Sequence, residues 1–310
     1  MPSEHHRHAR HRQAGTSLVE LLLSSAIGLA LVLLAVQIYV STGQPVRRVA
    51  AQVQLHSDGA MTLQLLAQQV RLVGLSELDD QGTPHFQGLA VRGCAGAFAE
   101  TGAAFDALAC KASTGDARPH AFAIRHQADA HVTVPVGTDQ PSNCVLEGIA
   151  AWATSSADGA LRYALADQRY FIEPDEDGVP TLYCRGMRDA GVMGSKQALA
   201  SQVEDMRVLY AVTRLPDGSE PQPAQVTAYV RADDDALGAA AERWRRVIGM
   251  SLCIVVRSAS PVAGAQQMPE SYLDCDGQPQ QAPDGRLRRS FRTTVFFHAL
   301  RPALNAGTSP

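Results

Sequence analysis

The stretch "RQAGTSLVELLLSSAIGLALVLLAV", Arg12 to Val36, decides the fold. It sets one carboxylate, Glu20, near the start of an apolar run. An ionised side chain at the centre of a bilayer costs about 2.5–3.5 kcal/mol on insertion scales. A plain anchor has no reason to carry that cost, so Glu20 is either shallow or paired. From Leu18 to Val40 the strongly polar side chains are Glu20 and Gln37, and Ala26 to Val36 is unbroken. At 1.5 Å per residue this segment makes about 34 Å of helix, enough for a hydrocarbon core of about 30 Å. A secretory signal has a shorter apolar region closed by a small-residue cleavage site. Here the chain runs on through "QIYVSTGQPVRR" without such a site, so the segment stays in the protein as a transmembrane helix at about 18–40. Arg7, Arg10 and Arg12 precede it and hold the N-terminus on the cytoplasmic side. Arg47 and Arg48 follow it, but a long following domain is exported largely regardless of its charge.

Of 310 residues, 45% are hydrophobic and 19% charged, a globular composition too apolar for disorder. Aromatic residues are only 5%, so the core is expected to be aliphatic and built from small side chains. The formal charge of −4, with no basic stripe beyond the first residues, carries no nucleic-acid footprint. Six cysteines occur, at 94, 110, 144, 184, 253 and 275. None forms a C-x-x-C pair, and no neighbouring histidine completes a zinc pattern. An even count placed wholly after the apolar run indicates disulfides in an oxidising compartment. Six cysteines allow 15 connectivities. Neighbour pairing, Cys94–Cys110, Cys144–Cys184 and Cys253–Cys275, is predicted because each bond closes a modest local loop.

After the span, Val46, Val49 and Val53, then Ala60, Leu63, Ala67 and Val70, recur at three and four residues. This predicts one apolar helix face. Gly43 and Pro45 are expected to bend or interrupt the helix, and Gly74 to stop it. Residues 17–73 then form either one long helix or a transmembrane helix plus a short second one. From about residue 84 the chain breaks into short alternating or β-branched runs between Gly, Pro, Asp and Ser. Strands are predicted at 121–125, 131–136, 169–173, 181–184, 206–212, 225–230, 247–256 and 292–300, with turns at "PDEDGVP" and "LPDGSEP". No βαβ rhythm appears, so the expected architecture is α+β: a long helix packed on an antiparallel sheet.

Gly15 followed by Thr16-Ser17-Leu18-Val19-Glu20 resembles the class III signal of type IV prepilins: a short basic leader ending in Gly, then an apolar helix with Glu at its fifth mature position. The resemblance implies that a membrane-embedded prepilin peptidase cuts between Gly15 and Thr16 and methylates the new amine. The family's usual first mature residue is Phe, and Thr16 departs from it. Glu20 would then pair with such an amine as helices are packed into a filament, an attraction that grows as water is excluded. The order "QVEDMRVLYAV", "ERWRRVIGMSLCIVVRS", "RLRRSFRTTVFFHALRP" within 200–302 resembles the C-terminal half of the PilW family of type IV pilus assembly proteins, minor pilins with large β-rich heads. The implied fold is type IV pilin-like, with leader 1–15, helix 16–74 and exported head 75–310. The implied partners are other minor pilins, the major pilin, the prepilin peptidase and the inner membrane, with the chain moving from that membrane to the pilus at the cell surface. The implied role is pilus assembly at initiation or at the tip. A minor pseudopilin of type II secretion and a bitopic envelope binding protein are the alternative readings.

Motifs for catalysis or nucleotide binding are absent: there is no G-x-S-x-G, H-E-x-x-H, Walker A or G-x-G-x-x-G. His5, His6, His8 and His11 lie in the leader, and His56, His85, His120, His126, His131 and His298 are scattered as surface or sheet residues. Asp175-Glu176-Asp177-Gly178 lacks the full spacing of a calcium loop and reads as a solvated hairpin turn. Asp233-Asp234-Asp235 reads as a loop, and Trp152 and Trp244 as core or interface residues. The sequence therefore predicts a non-enzyme without cofactor, metal or small-molecule substrate.

Overall fold

The structure, a computed structural model, describes residues 17–112, 117–154, 162–214, 225–237, 241–262 and 271–297. The chain divides into two compact units, one reaching Ala50 and one starting at Ala51. Helix α1, Leu18–Arg71, has residues in both, and Gly43 and Pro45 lie inside it rather than interrupting it. Gly74, with φ of +72°, closes the end of this region, and its N–H donates to the Arg125 carbonyl at 2.9 Å. Glycine takes that left-handed conformation without a Cβ clash.

Within the second unit α1 buries Leu55, Gly59, Leu63, Leu66, Ala67 and Val70 on one side. The predicted face is corrected at Val53 and Ala60, which are exposed, as are Val46 and Val49 in the first unit. The real face is built on the leucines, which carry the largest apolar area, and on Gly59. A Cβ there would collide with the Phe291 ring, which lies against the helix at that point.

Among the described residues thirteen strands follow. In the first half they are β1 (Val91–Cys94), β2 (Ala121–Ala128), β3 (Ala153–Thr154), β4 (Arg162–Pro174), β5 (Pro180–Asp189), β6 (Val192–Met193) and β7 (Gln197–Ser201). Then come β8 (Val203–Val212), β9 (Ala228–Val230), the one-turn helix α2 (Ala241–Trp244), β10 (Val247–Arg257), β11 (Ser271–Leu273), β12 (Pro279–Gln281) and β13 (Arg288–Phe296). Where one sheet was expected there are three. The larger runs β1-β2-β4-β5-β6, with β3 beside β4 and β7 beside β5; the second runs β13-β10-β8-β9; β11 and β12 form a ribbon. All pairings are antiparallel. The change of sheet falls at Gln202, with φ of +64°, between β7 and β8. One core joins the buried side of α1 from Leu55, the larger sheet through Phe122, Ile124, Tyr170 and Leu182, and the second through Met206, Tyr210, Leu252 and Ile254.

The predicted strand 131–136 is a loop. Asp129 captures the chain there: its Oδ1 accepts from the amides of His131 (2.6 Å) and Val132 (3.0 Å), and Pro135 has no N–H to give a ladder. The predicted 225–230 shortens to β9, while β13 begins four residues before the predicted 292; 298–300 and the turn at 215–221 lie outside the described residues.

Three tight turns share one construction. The carbonyls of Asp79, Asp175 and Asp274 accept from Gly82, Gly178 and Gly277 at 2.9, 3.0 and 3.1 Å. Each Asp Oδ1 also accepts two amides, Gln81 and Thr83, Asp177 and Val179, and Asp276 and Gln278, at 2.8–3.0 Å. The glycines take φ of +78°, +75° and +75°. The run 175–178 is thus a hairpin turn between β4 and β5 whose first carboxylate orders the backbone.

Two buried groups yield stability predictions. Tyr210 is fully buried, with its hydroxyl over Gly93 and no hydrogen-bond partner. A Cβ at 93 would strike that oxygen and lie 3.0 Å from the Ala121 carbonyl. Overpacking of this kind costs about 1–3 kcal/mol. Gly93→Ala is therefore expected to lower the urea midpoint, and adding Tyr210→Phe, which removes the hydroxyl, to restore part of the loss.

His126 is fully buried beside Ala128, Ala164 and Ala166, with neither ring nitrogen partnered. Burial lowers its pKa from 6.5 to about 4, only partly opposed by Asp129. A depressed folded-state pKa means that the unfolded chain binds more protons between these values, so stability is present above pH 6.5 and falls as the pH drops toward 4. Between pH 7 and 4.5 this one group is expected to remove about 2 kcal/mol. Urea titrations at the two pH values are expected to show His126→Leu losing that much less than the unmodified chain.

Candidate membrane and assembly segment

The segment Leu18–Tyr39 has 22 residues, a mean hydropathy of 2.4 and no buried residue. Its length corresponds to about 33 Å, long and apolar enough to cross a membrane. Leu18, Leu21, Leu23, Leu31 and Leu33 are all exposed, and they point to different sides because successive residues are turned by about 100°. A helix apolar all round has no side suited to water. Its polar groups are few and partly self-satisfied. The Ser24 hydroxyl donates to the carbonyls of Glu20 (2.8 Å) and Leu21 (3.1 Å), and the Ser25 hydroxyl to Leu22 (2.9 Å). Sequence reading did not single out these serines, although a helical hydroxyl returning to the preceding turn is a known local pattern.

Glu20 sits in the first turn of α1. A carboxylate there favourably meets the partial positive charge of the helix N-terminus, so it is tolerated at this end of the segment far better than at its middle. Gly15 and Thr16, predicted to flank a processing site, lie outside the described residues, as do the histidines of the leader.

The six predicted cysteines come together as neighbours. Cys94–Cys110, Cys144–Cys184 and Cys253–Cys275 are bonded, with Cα separations of 5.4, 6.4 and 5.7 Å. The first staples the loop after β1 over the larger sheet. From this loop Thr101 offers its carbonyl to Arg169 Nη1 at 2.9 Å, and the buried Phe105 ring lies 4.2 Å from the Arg125 guanidinium. The third ties β10 to the β11–β12 ribbon. Beside it Arg207 pairs with Asp276 at 2.6 Å, and Arg288 binds both Glu204 and Asp284 at 2.6 Å.

The remaining predicted residues resolve individually. His120 is buried and structural: its N–H donates to the Met206 carbonyl at 2.8 Å, and its Nδ1 accepts from Val208 N–H at 3.1 Å. His56 lies beside Phe291 and His85 beside Tyr163; His131 is exposed, and His298 is outside the described residues. Asp233 pairs with Arg231 at 2.9 Å. Trp244 is buried edge-on to Tyr210, with ring centroids 4.9 Å apart, while Trp152 is half-buried. Among the described residues no group of three or more His, Cys, Asp or Glu side chains is placed to hold a metal.

Residues 169–298 match the family model PilW, type IV pilus-assembly protein W. This region begins within β4 and takes in the whole of the second sheet and the ribbon. It links the chain to type IV pilus assembly and agrees with the resemblance carried by the strands of 200–302. No curated protein and no solved structure matches the chain. An N-terminal apolar helix followed by a disulfide-bonded region of antiparallel sheets fits a membrane-anchored protein of pilus assembly.

Opening the first disulfide is the direct test of what holds the loop over the larger sheet. Constraining a loop of this length stabilises by about 3 kcal/mol. The double variant Cys94→Ser/Cys110→Ser is expected to lose about that much in urea unfolding and to be cut by protease first within 95–110.

Proposed function

We propose that the chain is a minor pilin of the PilW kind, with a pilin-like fold, acting with other minor pilins to start or cap a type IV pilus of the major pilin. The single observation that carries this reading is the 22-residue apolar helix, wholly uncovered and bearing Glu20 in its first turn, in a chain that matches PilW at 169–298. The match favours a pilus over a secretion pseudopilus. In this reading residues 1–15 are a leader held in the cytoplasm and removed after Gly15. The helix sits in the inner membrane with the head outside the cytoplasm, where three disulfides persist.

The proposed mechanism is a transfer between two apolar surroundings. Lipid is as apolar as leucine, so moving Leu21–Val36 from lipid to neighbouring helices gains little from hydrophobicity; packing and polar pairing supply the specificity. Glu20 supplies the polar part by meeting the amine of a mature N-terminus. An unpaired Glu20 between apolar helices is penalised, and this fixes the axial register of the helix.

The test is the N-terminal sequence and intact mass of protein extracted from membranes of cells with and without the prepilin peptidase. The reading predicts a methylated Thr16 start only where the peptidase is present; a Met1 start in both would sink it. Glu20→Ala is expected to leave membrane insertion and head stability unchanged and to reduce the number of surface pili sharply, as counted by electron microscopy.

A further inference from the structure

Charge is unbalanced on one face of the larger sheet. Arg125 and Asp167 face each other across β2 and β4, and Arg169 and Arg185 face each other across β4 and β5. Asp167 is fully buried and its Oδ2 accepts from both Arg125 (3.1 Å) and Arg169 (3.2 Å). Arg185, opposite Arg169, adds a third guanidinium to this face of the sheet. Asp106 approaches Arg125 at 3.7 Å from a largely exposed position. Like charges directly opposite on paired strands repel. Burial works against the charge on Arg169, and Arg125 and Arg185 add repulsion that Asp167 alone opposes.

Arg185 forms no ion pair among the described residues, although the Glu100 carboxylate and the Arg185 Nη1 both approach Gly102. Its Nε donates to the Gly194 carbonyl at 2.8 Å and its Nη1 to the Thr101 hydroxyl at 3.1 Å. These neutral contacts hold the guanidinium rigid while leaving Nη2 without a partner among the described residues. Arg185 lines a cleft of about 430 Å³ together with Thr101, Arg188, Gly194, Ser195 and Lys196. Arg188 is exposed and forms no ion pair among the described residues. Lys196 pairs with Glu173 at 2.5 Å and lies over the Tyr183 ring. Glu147 packs over Gly194, where it faces Asn143 at 3.4 Å.

We infer that this cleft binds a phosphate-class oxyanion, held by the Arg185 and Arg188 guanidiniums, the Ser195 hydroxyl and the Lys196 ammonium. Guanidinium groups match the edges of phosphate with paired N–H donors, and a rigid Arg185 is preorganised for that geometry. The inference stands independently of the pilus reading, because it rests on the head alone.

The test is the thermal unfolding of the full-length protein in detergent, with inorganic phosphate, sodium acetate or sodium chloride at equal ionic strength. Phosphate is expected to raise Tm by about 2–4 °C over chloride, with acetate close to chloride. Arg188→Gln, at an exposed and unpaired side chain, folds normally and is expected to lose most of that rise; Arg185→Gln is expected to lose all of it. Equal shifts in phosphate and chloride, or an unchanged phosphate shift in Arg188→Gln, would overturn the site. Acetate acting as strongly as phosphate would overturn the ligand class. A shift with glucose 1-phosphate extends the ligand to monoesters, whereas a shift with inorganic phosphate alone assigns the free ion; both uphold the site.

Discussion

Leu18–Tyr39 presents apolar side chains on every side and buries none of them, and a surface of that kind has to leave water. Nothing else about the protein is as constraining. Lipid and other helices are the two environments that satisfy the segment, and it is long and apolar enough to cross a membrane. The internal hydroxyl bonds of Ser24 and Ser25 remove polarity that either environment would penalise. Glu20 is the carboxylate of the span, and its position in the first turn keeps it near the end of the apolar run.

From Ala51 onward the logic reverses. Here α1 is apolar along one side, and the sheets supply the cover. The expectation of an aliphatic core is corrected: aromatics are few in the sequence but gather inside, with Phe105, Phe122, Tyr170, Tyr210 and Phe297 fully buried, and local devices add stability. Three disulfides close loops of modest length, three Asp-Gly turns fix their own backbones, and arginine networks link the second sheet to the ribbon. The larger sheet departs from this balance at Arg169 and Arg185, where like charges are opposed, and such a departure is where a binding site is worth seeking.

What could be read beforehand follows from the range of the interactions involved. The apolar span, the helix end at Gly74 and the turn at 175–178 depend on residues a few positions apart, and they are legible in the sequence. Neighbour pairing of the cysteines was legible for the same reason. The buried side of α1 was misplaced at Val53 and Ala60 because it depends on Phe291, a partner more than two hundred residues away. The strand expected at 131–136 failed because Asp129 offers the backbone a closer partner than a neighbouring strand. The division into separate sheets turns on Gln202, a single residue with positive φ and no glycine to announce it. The arginine cluster was invisible for a related reason: Arg125, Asp167, Arg169 and Arg185 become neighbours only when register is known.

The proposed function places α1 across the membrane and the head outside the cytoplasm. The direct measurement is protease accessibility in spheroplasts, with the inner membrane intact, followed by an antibody to the head. The account predicts that the head from Ala51 onward is degraded in spheroplasts before the inner membrane is broken. A head protected until that membrane is lysed, alongside a degraded periplasmic control protein, would contradict it.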